Sequence, residues 1–81
     1  MNPIIADLAD LLDLDAATAT AMGATIEQTL SPASTIRAQL LVTVANLSQA
    51  FPEIDSKAHT IFAVVVLQAH PFFVGQKVFA A

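Results

Sequence analysis

The chain has 81 residues, a formal net charge of −4 at pH 7 and no cysteine; 56% of its residues are apolar and only 12% are charged. This length fits one small domain, and the lack of cysteine excludes disulfides and thiolate metal sites. Three scattered lysine and arginine residues are too few for a nucleic-acid surface or for attraction to an anionic membrane, so a charge-driven partner should be basic.

The first predicted element is an amphipathic helix of about three turns. Asn2 is a good N-cap, and Pro3 suits the first helical position because an N–H would have no helical partner there. We expect this helix to end near Leu14. Its apolar stripe has helical spacing and consists of Ile4, Ile5, Leu8, Leu11 and Leu12.

A second helix is predicted over residues 16–30, with Asp15 as its N-cap. Gly23 lowers the stability of this helix by roughly 1 kcal/mol relative to alanine. Such a glycine is typical of a place where another backbone approaches closely, so we expect Gly23 at a helix–helix contact. The apolar stripe is narrow and consists of Ala19, Met22, Ile26 and Leu30.

The third helix is predicted to begin at Pro32, with Ser31 as its cap, and to end at Phe51, because the residue before Pro52 is pushed out of helical geometry. An apolar ridge is formed by Ile36, Leu40, Val44 and Leu47 and is widened by Leu41. The opposite, polar side is formed by Arg37, Gln39, Asn46 and Gln49.

The fourth element should run from Lys57 to His70, with Asp55 or Ser56 as its cap and Pro71 as its stop. Residues 61–67 are apolar and rich in β-branched side chains, so a buried strand is the alternative for them. We favour a helix because a lone strand would have no partner for its hydrogen bonds. The conformation of the apolar tail that follows stays open.

These elements predict an all-α fold, a small bundle of three to four short helices with an apolar C-terminal tail, in one domain over residues 1–81. The N-terminal segment has aspartates and no cation, unlike a secretory signal. No uncharged apolar run is long enough for a clear membrane span. We therefore expect no membrane partner and a cytoplasmic location by default, with signal-independent export as the alternative.

Two groups of titratable side chains are candidate sites. Asp7, Asp10 and Asp13 could form an acidic docking face, although a solvated helix surface is the simpler interpretation of them. Their spacing spreads the carboxylates over more than one helix side, so they do not converge as metal ligands must. His59 and His70 would stand roughly 16 Å apart along one helix, too far for one metal ion within a chain. Capping or partial burial is the simpler interpretation of both histidines.

A catalytic site is not expected. Asp55, Ser56 and His59 contain the side chains of a hydrolytic triad, but they stand at a helix start, where Asp and Ser act as caps. The chain has only two glycines, Gly23 and Gly75, so no glycine-rich turn is available for an oxyanion hole or a phosphate loop. We predict no enzyme activity, no cofactor and no metal site.

The C-terminal third is the best lead to function. From Ala58 to Ala81, Lys77 is the only strong charge, and eleven of the 24 residues are Ile, Leu, Val or Phe. A helix that is apolar on all sides must be surrounded, and a bundle this small cannot surround one completely. We expect an interface with another chain, formed by Ile61, Val65, Phe72, Phe73, Val78 and Phe79.

The sequence therefore predicts a non-enzymatic assembly or structural subunit. It would associate with itself through its C-terminal third, either as a closed oligomer or as a helical array. A small acidic adaptor or inhibitor that docks on a larger protein is the alternative, with the acidic first helix and an apolar groove as recognition elements. A weaker alternative is a helical bundle that binds an apolar small molecule.

Overall fold

The computed structural model describes residues 2–79, and the elements found there are all helical. They are α1 (Pro3–Leu11), α2 (Ala16–Thr29), α3 (Ile36–Ala50), α4 (Ser56–Ala69) and one 3₁₀ turn (Pro71–Phe73). The predicted all-α fold is confirmed. Residues 61–67 lie inside α4, so the helix and not the alternative strand forms there.

Each helix packs against the next one. The start of α1 lies beside the second half of α2, where Ile5 approaches Gly23. The Gln39 side chain of α3 donates to a carbonyl in the last turn of α2. Ser48, near the end of α3, lies 3.3 Å from the His59 ring at the start of α4. Because α1 also packs against α4, the four helices surround one core.

The core takes large side chains from every helix and from the tail. Apolar burial contributes about 25 cal/mol per Å² of surface removed from water, so these side chains supply most of the stabilisation. The largest fully buried ones are Phe62, Phe73, Met22, Ile26, Leu47 and Leu67.

Three of the predicted N-caps form as expected. The side chains of Asn2, Asp15 and Asp55 each accept a hydrogen bond from a backbone N–H in the first turn of their helix, at 2.8, 2.6 and 2.7 Å. Each bond satisfies an N–H that has no partner inside its helix. The starts of α1, α2 and α4 are therefore fixed by local sequence.

The end of α1 differs from the prediction: the helix stops at Leu11 and not near Leu14. Asp13 has a φ of 55°, in the left-handed region that aspartate tolerates better than most residues. The Leu14 N–H then donates to the Ala9 carbonyl at 2.9 Å, a bond that closes the helix end. The result is a tight turn that leads directly into the cap of α2.

The start of α3 is also later than predicted, at Ile36 and not at Pro32. The Ser31 side chain accepts a hydrogen bond from an N–H two residues further on, which makes a turn around Pro32 and no α-helix. Thr35 is the actual N-cap, and its hydroxyl accepts from the Ala38 N–H at 3.2 Å. The same cap-then-proline pattern starts a helix at Asn2 and a turn here.

The two predicted faces of α3 are wrong at one residue each. Gln39, assigned to the polar side, is buried. Its Oε1 accepts from the Ser31 N–H, and its Nε2 donates to the Thr29 carbonyl and to Thr43 Oγ1, at 3.2, 3.1 and 3.3 Å. A buried amide with its partners satisfied fastens α3 to the α2–α3 connection. Leu41, assigned to the apolar ridge, is exposed.

Candidate functional site

The backbone of the tail is held by polar side chains of the bundle. Gln68 Oε1 accepts from the Val78 N–H, and Gln68 Nε2 donates to the Gln76 carbonyl, both at 2.9 Å. One side-chain amide thus pairs with the tail as a neighbouring strand would. Arg37 Nε donates to the Val78 carbonyl at 3.0 Å. Gln76 Oε1 accepts from the Ile36 N–H at 2.9 Å, which satisfies an unpaired donor at the start of α3.

A tight turn reverses the tail after the 3₁₀ turn. The Gln76 N–H donates to the Phe73 carbonyl at 3.0 Å. Val74 (φ −57°, ψ 129°) and Gly75 (φ 83°) occupy the two central positions, which are those of a type II turn. Glycine is required at the second of them because an L side chain is strained at that φ. The turn leaves Val74 on the outside of the molecule.

The tail divides the predicted interface into two groups. Phe73 is fully buried and Val78 is buried as well, both in the core of their own chain. Their assignment to an interface is corrected on this ground, since a partner could not reach them. Phe72 and Phe79 are exposed, as is Val74, at 44%, 76% and 82% of their surfaces. These three residues, Phe72, Val74 and Phe79, are called the tail surface below.

Ile61 and Val65 stand one turn apart on α4 and are partly exposed. They share a helix face, while Phe62, Ala63 and Leu67 fill the core. The apolar surface of α4 is thus covered on one side only. A contact of these residues with another chain stays a prediction.

The two ends of the bundle differ in charge. The end that holds the α1–α2 and α3–α4 connections, here called the loop end, carries five carboxylates and one lysine, a formal charge of −4; they are Asp10, Asp13, Asp15, Glu53, Asp55 and Lys57. The opposite end, here called the tail end, holds the tail and carries Arg37 and Lys77 against Glu27, a formal charge of +1. Asp7, at the middle of α1, accounts for the remaining charge.

The candidate acidic docking face is exposed at all three of its residues, Asp7, Asp10 and Asp13. Two of them belong to the loop end, where Asp15 caps α2. Hydrogen bonds from the side chain and then the backbone N–H of Thr18 hold the pKa of Asp15 below its usual value of 3.8. That carboxylate therefore stays ionised at the positive end of the α2 dipole.

The two histidines have structural partners. His70 Nδ1 accepts from the Phe72 N–H at 3.2 Å, so its Nε2 carries the hydrogen and donates to Glu27 at 3.0 Å. His59 is buried, with Nδ1 3.3 Å from Ser48 Oγ and no hydrogen-bond partner at Nε2. Within residues 2–79, no three His, Asp or Glu side chains are grouped as metal ligands.

The side chains of Asp55, Ser56 and His59, which have the residue types of a hydrolytic triad, do not converge. Asp55 accepts from the Lys57 N–H as a cap. His59 pairs with Ser48 instead of Ser56, and nothing orients its second ring nitrogen as the third member of a triad would.

A groove lies between α1, α2 and α4. Its volume is about 330 Å³, at the lower limit of the usual range for small-ligand pockets. Ile5, Ala24 and Val66 give it apolar walls, and Glu27 lies at its edge. Gly23 contributes to the same wall, where a Cβ would stand 3.2 Å from Ile5 Cδ1. Gly23 therefore lies at a helix–helix contact as predicted, but the neighbouring atoms belong to the Ile5 side chain, so the expected close approach of another backbone is not found.

Sequence reasoning missed the residues that shape the tail. Gln68 and Gln76 read as ordinary polar positions, because the partners they bind are eight to forty residues away. Val74 was not assigned to the interface either. Its one available signal was the following glycine, which is common at the second central position of a type II turn.

None of the helices within residues 2–79 has the length and apolar character needed to span a membrane. Comparisons of the sequence and the fold with known proteins found no matching family, no matching curated protein and no matching solved structure.

Proposed function

We propose that this protein is a non-enzymatic assembly subunit that associates with copies of itself through the tail surface, supplemented by Ile61 and Val65. One observation carries the proposal: large apolar side chains are exposed on a tail whose backbone is held in place by the side chains of Gln68, Arg37 and Gln76.

Fixing exposed phenylalanines is unfavourable unless they contact something. Each ordered residue loses roughly 1–2 kcal/mol of backbone entropy, and the exposed parts of the Phe72, Val74 and Phe79 side chains return none of it in an isolated chain. A buried phenylalanine contributes roughly 1.5–3 kcal/mol by area. Phe72 and Phe79, with Val74, could thus offset much of the entropy lost on association, which is several kcal/mol or more.

The site geometry supports a non-enzymatic role. Asp55 and Ser56 serve the start of α4, and the buried His59 faces Ser48 and the core. A nucleophile requires an oriented base and donors for the developing negative charge, and these residues supply neither arrangement. We keep the cytoplasm as the expected compartment.

The acidic adaptor is the second candidate, and the formal charge of −4 at the loop end favours it. In that role the carboxylates would meet a basic protein partner, and the tail surface would add the apolar part of the contact. Binding of an apolar small molecule is supported only by the groove between α1, α2 and α4.

The decisive measurement is the mass in solution from low to high micromolar concentration, by sedimentation or light scattering. We expect the mass of the wild type to rise with concentration. The double variant Phe72→Ser/Phe79→Ser should remain a monomer with the helix content of the wild type, because both side chains are exposed.

Val42→Ser is the matched control, since Val42 is an exposed apolar residue on α3, outside the tail surface. It should associate as the wild type does. A wild type that stays monomeric at every concentration would contradict self-association and leave the adaptor as the candidate.

A further inference from the structure

We propose that the tail surface docks on the loop end of a second copy, in a head-to-tail contact. This inference rests on the proposed function and identifies the surface that the tail meets. It joins the one end of the molecule with a positive formal charge to the end that carries most of the negative charge.

Charge selects this pairing among the three that two copies can form. A loop-to-loop contact would bring two formal charges of −4 together, and like charges that face each other across an interface are strongly unfavourable. A tail-to-tail contact would bring two formal charges of +1 together, which is a weaker repulsion. Only the loop-to-tail pairing is attractive, with Lys77 free to face the carboxylates because its side chain is exposed.

The loop end also offers an apolar contact. Leu11, the last residue of α1, is one of the most exposed large apolar side chains of the bundle and stands between Asp10 and Asp13 in the sequence. Ile61, in the second turn of α4, is exposed in the half of that helix nearer the loop end. A partner with phenylalanines at its centre and cations beside them fits such a surface, because apolar contact supplies affinity and charge supplies orientation.

A head-to-tail contact leaves one free tail and one free loop end on every assembly. Association then continues beyond the dimer, into a ring if the rotation closes and into a chain if it does not. A symmetric contact would stop at two copies. The wild-type mass should therefore not level off at the dimer, and added salt should weaken the association, since exposed charge pairs are screened.

The test mixes two variants that each lack one surface. The tail-surface variant is Phe72→Ser/Phe79→Ser. The loop-end variant is Asp10→Asn/Asp13→Asn/Glu53→Gln, which leaves the caps Asp15 and Asp55 intact and puts Asn, which tolerates a positive φ, at position 13. Native mass spectrometry can distinguish complexes of the two variants because their masses differ.

We expect the loop-end variant to associate with itself about tenfold more weakly than the wild type, since each exposed charge pair contributes only a fraction of the total. The tail-surface variant should be monomeric. At a concentration where the loop-end variant alone is monomeric, the mixture should form a one-to-one complex that does not grow, because only one intact contact is available.

The other outcomes separate the two proposals. If the wild type associates and the loop-end variant associates equally well, the head-to-tail contact is wrong while the proposed function stands. The same conclusion follows if the two variants form no mixed complex. If the wild type is monomeric throughout, the proposed function itself is wrong.

Discussion

The α1–α2 hairpin and the C-terminal tail are stabilised in different ways. In the hairpin, each helix start is fixed by a side chain two or three residues away, at Asn2 and Asp15. In the tail, the bonds to Ile36 and Arg37 span 40 and 41 residues. The hairpin is thus organised by local sequence, whereas the tail depends on the rest of the bundle being folded.

The difference bears on function because some side chains of the tail are buried in the core and others are exposed on the surface. Phe72 and Phe73 are neighbours in the chain, and their rings meet edge to face with centroids 6.4 Å apart. Phe73 is fully buried, while Phe72 is 44% exposed. A tail that only closed the core would need Phe73 and Val78. The exposed side chains of the tail surface are not needed for that purpose.

The largest expected effect separates these two phenylalanines. Phe73→Ala should lower the free energy of unfolding by about 3–5 kcal/mol, because it leaves a cavity in the core. Phe72→Ala should cost about 1 kcal/mol or less, because its ring is half exposed. Urea denaturation followed by circular dichroism measures both. Equal losses would show that the inward and outward sides of the tail are not distinct.

The second prediction concerns the amide that holds the tail. Gln68→Leu removes both bonds to the tail, one of them exposed and the other partly buried, and a typical hydrogen bond of this kind contributes about 0.5–1.5 kcal/mol. The Val78 N–H should then exchange with solvent faster than in the wild type. Gln49→Leu, at an exposed position of α3, is the matched control and should leave that exchange unchanged. Unchanged exchange in Gln68→Leu would mean that apolar contacts alone hold the tail.

The same contrast explains which parts of the fold could be predicted from sequence. The caps at Asn2, Asp15 and Asp55 and the stop at Pro71 follow from residues close to them, so local sequence predicts the starts of α1, α2 and α4 and the end of α4. Ser31 and Pro32 show the limit of local patterns, because a capping residue followed by proline starts a helix at Asn2 and a turn at Ser31.

The buried Gln39 lies beyond that limit as well. From sequence alone, a glutamine is expected at the surface. Gln39 is buried because packing brings the carbonyl and the hydroxyl that it binds beside its side chain.

The candidate site was predictable in region and not in detail. Composition located the apolar excess in the C-terminal third, because a small bundle cannot cover so many large side chains. Composition does not predict which side chains point into the core and which point outward. The type II turn at Val74 and Gly75 reverses the chain between the buried Phe73 and Val78, and the Gln68 and Arg37 bonds hold the segment after the turn against the bundle.

The third prediction tests the hairpin at the contact between Gly23 and the Ile5 side chain. Gly23→Leu should destabilise the protein by about 1–3 kcal/mol, because its side chain must displace Ile5. Gly23→Ala should change stability by less than about 1 kcal/mol, since the gain in helix propensity offsets a contact with the flexible end of Ile5. Thermal denaturation measures both changes. A Leu variant more stable than the wild type would show that the approach is not tight.

The smallest expected effect is the acid dependence of the α2 cap. The folded-state pKa of Asp15 lies below its usual value of 3.8 because the Thr18 side chain and backbone N–H bond to the carboxylate. A depressed folded-state pKa contributes stability that is fully present well above 3.8 and is lost as the pH falls through the folded-state pKa.

Asp15→Asn keeps a cap that accepts the same N–H and does not titrate. The stability difference between the wild type and Asp15→Asn should therefore be largest at neutral pH and should shrink as the pH falls below 3.8. Asp15→Ala, which removes the cap at every pH, should be less stable than Asp15→Asn even in acid. Urea denaturation at a series of pH values measures all three chains, and a difference that grows in acid would contradict the role of Thr18. Between residues 71 and 79 the structure shows no hydrogen bond from the tail to a carboxylate, so exchange of the Val78 N–H should respond to the Gln68 substitution and not to the Asp15 cap.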